Sequence, residues 1–197
     1  FLDNLLLQYP GVSYSFEGEM REQQESFGSM GIGLGIMLFV IYGLLAIPFK
    51  SYLQPLVVMS IIPFGAIGAL GGHWIMGMDL TMLSLLGMMA LVGVVVNDSL
   101  VLVDFINNHK QSSNLQEAIM NAGVARFRPV MLTSLTTFMG LMPLLFEQST
   151  QAQFLIPMAV SLGFGILFAT FITLILVPVN YLLMERGIAG WKRLMER

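Results

Sequence analysis

The residues best placed to do chemistry are acids set inside an apolar run. In Gly93-Val94-Val95-Val96-Asn97-Asp98-Ser99-Leu100-Val101-Leu102-Val103-Asp104-Phe105, Asn97 and Asp98 stand well within the run and Asp104 stands near its end. At about 100° per residue, Gly93, Asn97, Leu100 and Asp104 share one helix face, with Asp98 on the adjoining face. A carboxylate in hydrocarbon is costly, so it normally faces a partner, a cavity or a proton path. Asp98 therefore reads either as a group that takes up and releases a proton in use or as a structural carboxyl hydrogen-bonded across helices. Asp104, closer to the end of the run, could instead reach the headgroup layer.

A second constellation follows in Arg126-Phe127-Arg128-Pro129 and the hydroxyl-rich Val130-Met131-Leu132-Thr133-Ser134-Leu135-Thr136-Thr137. Thr133, Thr137 and Gly140 share a face, and their hydroxyls suit either helix packing or a water-filled path. Arg126 and Arg128 read by default as anchors on the basic side of a membrane. Sixteen methionines raise soft-metal export, since thioethers bind Cu(I) and Ag(I), but they are scattered through apolar runs where Met fills space and that reading is rejected for the membrane part; His73 and His109 are far apart in sequence, and there is no cysteine. A metal centre, a cofactor and a nucleophile–base pair are therefore not expected, and no basic, aromatic-laced patch suggests nucleic acid.

The elements that must position these residues are membrane helices. The chain has 197 residues, 56% hydrophobic and 11% charged, with a mean hydropathy of +0.78. Stretches of roughly 20 apolar residues, enough for a bilayer core of about 30 Å, are expected at 28–48, 54–76, 81–106, 129–146 and 154–184. Pro63, Pro143, Pro157 and Pro178 predict kinks within them. A short interfacial helix is expected over 112–126, where Ser113 and Gln116 have capping-box spacing, and the basic tail 185–197 is expected at the headgroups. Gly31 and Gly35, Gly68 and Gly72, and Gly163 and Gly165 are small residues that favour close helix contact.

Residues 1–27, with Val12, Tyr14 and Phe16 alternating after Pro10-Gly11, read as a strand and connector closing an external domain severed from this chain. Their acidic residues do not suit a targeting segment. Lys50, Lys110, Arg126, Arg128, Arg186, Lys192, Arg193 and Arg197 all fall on one side of five crossings, which makes that side cytoplasmic and the N-terminus external. The expectation is an all-α membrane protein with a five-helix transmembrane bundle.

The Gly93–Phe105 run, followed by Arg-Phe-Arg-Pro-Val-Met-Leu-Thr-Ser-Leu, resembles exporters of the resistance-nodulation-division (RND) type, the AcrB/AcrD/AcrF group. The resemblance covers essentially the whole chain and implies a fragment of a twelve-helix permease: its last five membrane helices, with 1–27 ending the second large periplasmic domain. It further implies a homotrimeric, Gram-negative inner-membrane antiporter that works with a periplasmic adaptor and an outer-membrane channel. Such a pump expels amphiphilic compounds against inward proton flow, surrounded by membrane lipids and completed by the remainder of the permease.

In that family, paired aspartates of the first half face a lysine of the tenth helix. Asn97 occupies the lysine's position, and Asp98 stands where those members usually carry Asn. Thr133 matches a threonine of the family's proton relay, and Arg126 matches an arginine near its cytoplasmic water entry. A neutral amide cannot form the ion pair, so the resemblance leaves open how charge is held. A different coupling ion, a scaffold role for this half, and a related lipid or protein exporter all remain as alternatives.

Overall fold

The computed structural model describes residues 19–110 and 114–195. They form helices α1 (Glu19–Phe49), α2 (Gln54–Met59), α3 (Ile62–Met76), α4 (Met82–His109), α5 (Leu115–Leu145), α6 (Thr150–Gln153) and α7 (Ile156–Met195), and no strand occurs among the described residues. The expected strand at Val12, Tyr14 and Phe16 lies outside the described residues, as does Ser113. The chain divides into two units, 1–37 and 38–197. In the first, the polar stretch from Glu19 onward is already helical and runs into the apolar part of α1. All packing described below belongs to the second.

Four helical segments are long and apolar enough to cross a membrane: Phe27–Phe49, Gln54–Met76, Met82–His109 and Ile156–Ile188. The second spans α2 and α3. Helical bonding is interrupted at Ser60 and Ile61 and restarts with Pro63 in the first turn of α3, where its missing N–H costs no bond, and Phe64 N–H reaches Ile61 O at 2.9 Å. Gly77 closes α3 at φ 63°, a left-handed conformation that glycine adopts without penalty, and Met78 N–H then caps His73 O at 3.0 Å.

Helix α4 starts at a capping box in which the Thr81 side chain accepts from Ser84 N–H and the Ser84 hydroxyl accepts from Thr81 N–H. The same Ser84 hydroxyl lies 2.8 Å from Nε2 of buried His73, whose Nδ1 is 3.0 Å from Ala69 O. A carbonyl only accepts, so the ring proton sits on Nδ1 and Ser84 donates to Nε2. The cap of one span thereby satisfies the buried imidazole of the preceding one.

The segment expected as two helices, 112–126 and 129–146, is one helix from Leu115 to Leu145. Pro129 removes one N–H but does not terminate it, since residues before it (Leu115, Gln116, Glu117, Ala118) are good helix formers and the lost bond is a single one. The Arg126, Arg128 and hydroxyl residues make α5 less apolar than the four segments named above.

Helices α3, α4 and α5 each pack chiefly on α7. The close approaches are made at glycines: a methyl on Gly68 would come within 2.5 Å of Phe168 Cβ, and one on Gly87 within 2.5 Å of the Met158 carbonyl. A methyl on Gly72 would overlap Phe164 Cβ, and one on Gly165 would overlap Leu91. The Phe138 and Phe164 rings meet edge to face with centroids 5.5 Å apart. Beside them Leu145, Ile156, Ala159 and Val160 form a buried cluster, filled in by Met76 and Met78. Farther along α7, the hydroxyls of Ser134 (α5) and Thr170 are hydrogen-bonded to each other in the interior.

Candidate functional site

The polar stripe of α4 is where the sequence placed it, but its members meet different surroundings. Asp98 is half-buried inside the apolar helix, and no described residue hydrogen-bonds or ion-pairs with it. Asn97 is exposed on the adjoining face, also without such a partner among the described residues. Asp104 is exposed and accepts from Asn108 Nδ2 at 3.1 Å, a bond within its own helix.

On α5, the exposed Thr133 hydroxyl lies 2.9 Å from both Pro129 O and Val130 O, carbonyls of its own preceding turn, so its single proton is shared locally. Arg126 is the residue that reaches α4: its guanidinium carbon stands 5.0 Å from the centroid of the Phe105 ring, and its buried Nε has no hydrogen-bond partner. The structure thus brings Arg126 against the neighbour of Asp104. It does not join Asp98, Asn97, Asp104 and Thr133 to one another by any hydrogen bond or ion pair among the described residues.

A second polar assembly, absent from the sequence reading, closes one end of the bundle. Gln54 of α2 and Asn107 of α4 exchange side-chain amide bonds of 3.1 and 2.8 Å. Tyr181 of α7, fully buried, donates to Asn107 Oδ1 at 2.7 Å. Lys110, following α4, donates to the Tyr181 hydroxyl and to Glu185 Oε1, both at 3.1 Å. Partial burial disfavours the Lys110 ammonium, but the bonds to Tyr181 and Glu185 outweigh that loss of solvent and hold its pKa above the usual lysine value. Lys110, counted among the basic residues of one membrane side, is paired with Glu185.

The sequence carried half of the signal. Asn107 and Lys110 are one turn apart, as are Tyr181 and Glu185, so two short polar faces were visible; that they face each other depends on how α4 packs on α7. The pairing also sets Gln54, Lys110 and Glu185 at one end of the bundle, in keeping with alternate crossings. At the loop after α5, the Ser149 and Gln148 backbone N–H groups donate to exposed Glu147 and hold its carboxyl below the usual range.

Comparison with known proteins agrees with the reading from α4 and α5. The chain is 31% identical over 177 residues to the multidrug resistance protein MdtC of Escherichia coli strain UTI89, covering 89% of the chain and 17% of that protein. The same identity and coverage hold for MdtC of Escherichia coli strain K12/DH10B. The chain therefore spans about a sixth of the length of these curated relatives. Among solved structures, it resembles a heavy metal efflux pump with a TM-score of 0.78 and 26% identity, over 94% of this chain and 19% of that one. A second crystal form of a heavy metal efflux pump gives a TM-score of 0.75 at 25% identity with the same coverage. The family model of the AcrB/AcrD/AcrF family matches residues 4–185, and the chain belongs to that family.

Proposed function

We propose that this chain is an energy-transducing part of a proton-driven RND exporter, one that expels drugs or other amphiphilic compounds by antiport. The carrying observation is Asp98: a half-buried acid within a membrane-length apolar helix, with no hydrogen-bond or ion-pair partner among the described residues. An acid so placed is free to change its protonation state when a partner helix or water reaches it. In this reading Asn97 lines the same approach, Thr133 relays a proton along α5, and Arg126 with Asp104 flanks the water entry at the basic end. Family membership and the multidrug relatives support export as the activity.

The complete pump would be a homotrimer in a Gram-negative inner membrane, completed by the remainder of the permease, a periplasmic adaptor and an outer-membrane channel. Its chain start would be periplasmic and its basic tail cytoplasmic. A second reading makes this segment a scaffold, and the glycine-lined packing of three helices on α7 favours it.

Efflux from cells carrying the full-length permease with Asp98→Asn, at matched membrane expression, separates the two. The coupling role predicts loss of efflux with normal folding. Efflux kept at the wild-type level would sink that role and leave the scaffold.

A further inference from the structure

The turn between α1 and α2 has properties that neither packing nor coupling uses. Lys50 adopts φ 48°, the only positive φ of a non-glycine residue among those described, in a left-handed conformation that a side-chain-bearing residue adopts uncommonly. The turn is fixed on both sides. Phe49 is buried before it, and the Tyr42 hydroxyl donates to the Tyr52 carbonyl at 3.0 Å after it. Beyond it Pro55, Gln54 and Val57 are buried, and Gln54 is tied to Asn107.

Held in this way, Ala46, Ile47, Lys50, Ser51 and Tyr52 line a groove of about 390 Å³, apolar along the helix and polar at the turn. That size is within the range of small-molecule sites. Lys50 is exposed and has no ion pair among the described residues, in contrast to Lys110 at the same bundle end, whose charge is met by Glu185. Tyr52 is 79% exposed at the terminus of a membrane-length helix, the level at which aromatic rings sit among headgroups.

We propose that this groove is a binding site for an anionic phospholipid. The Lys50 ammonium would hold the phosphate, the Ser51 hydroxyl would hydrogen-bond it or the glycerol, and an acyl chain would lie along Ala46 and Ile47. Charge complementarity favours this occupant: the groove offers one unpaired cation above an apolar floor, and a phospholipid offers one phosphate above a hydrocarbon chain. The left-handed turn places the cation at the groove's polar end, where a helical residue would have continued the α1 spiral. The inference concerns a lipid site on the outside of the bundle and does not depend on proton coupling.

The test is native mass spectrometry of the purified full-length permease titrated with phosphatidylglycerol or phosphatidylethanolamine. Lys50→Gln should weaken the tightest phosphatidylglycerol binding about five-fold, the effect of one cation at a lipid surface, with a smaller change for the zwitterionic lipid. Ala46→Phe, which fills the floor and keeps the charge, should weaken both lipids. Arg186→Gln, removing another exposed cation from the same bundle end, should leave that tightest binding unchanged. An Arg186→Gln effect equal to that of Lys50→Gln would mean a diffuse basic field and overturn the site. So would unchanged binding in both groove variants, the result expected if the rest of the permease covers the groove.

Discussion

Tyr181 and Asn107 are joined by a hydroxyl-to-amide hydrogen bond of 2.7 Å that orients the Asn107 side chain. The Lys110 ammonium can only donate, so the Tyr181 oxygen accepts from it, and of the two acceptors in reach of its one proton Asn107 Oδ1 at 2.7 Å is nearer than Glu185 Oε1 at 3.2 Å. That orients the Asn107 amide, whose Nδ2 donates to Gln54 Oε1 while Gln54 Nε2 donates back. Three helices are linked through a single phenol.

Tyr181→Phe keeps the ring and removes the phenol oxygen. Interhelical hydrogen bonds in membranes contribute about 0.6 kcal/mol on average and up to roughly 1.7. The variant is predicted to lose about 1 to 2 kcal/mol, from the bonds to Asn107 and Lys110 together. Thermal unfolding of the full-length permease in detergent reads this, and an unchanged midpoint would remove the cluster from the stability of the bundle.

The Lys110–Glu185 pair carries a pH signature. Because the folded-state pKa of Lys110 is raised, its contribution is fully present below the unfolded lysine value of about 10.4 and is lost as pH rises through the folded pKa. The stability gap between wild type and Lys110→Met should be flat near neutrality and should close only in alkali. A gap that closes around neutral pH would contradict the raised value.

Gly71 and Gly72 are adjacent on α3 and meet opposite surroundings. A methyl at Gly71 meets nothing within 4 Å, whereas one at Gly72 overlaps Phe164 at its Cβ, which cannot swing aside without moving α7. Gly72→Ala should destabilise by about 1 to 3 kcal/mol. Gly71→Ala should be neutral or gain a few tenths from helix propensity. Equal unfolding midpoints for the two variants would contradict the close approach of α3 and α7.

Thr133→Ala separates relay from packing. The hydroxyl bonds only carbonyls of its own helix, so its loss should shift stability by no more than about 0.5 kcal/mol. If Thr133 takes part in the proposed proton path, efflux should fall while the unfolding midpoint stays in place. A fall in stability matching the fall in efflux would instead make it a packing residue.

Much of this arrangement was legible because polar atoms in an apolar run are conspicuous. Asp98 was visible for that reason, and Gly68, Gly72, Gly163 and Gly165 were visible as small residues at contact spacing. Large rings or branched chains of facing helices do stand at each of these four, whereas a methyl at Gly31 or Gly35, expected at contacts too, meets no described atom within 4 Å. The Lys110–Glu185 pair was not legible, since 75 residues separate its members and a lone lysine after a span looks like an anchor. Continuity of α5 was hidden by Arg128-Pro129, which has the form of a helix start. Proline there removes one donor, which is too little to end a helix whose flanking residues favour it. Chemical type was read well at single positions, and pairing across helices required the packing.

That α3, α4 and α5 all rest chiefly on α7 has a consequence for biosynthesis. The helix they share comes after them in the chain, so all three are synthesised before their common partner exists. Until Met158 and Phe164 are made, Gly72 and Gly87 have no facing helix to receive. Docking onto α7 therefore follows synthesis of the last helix, while the smaller contacts of α4 with α3 and with α5 need no part of α7.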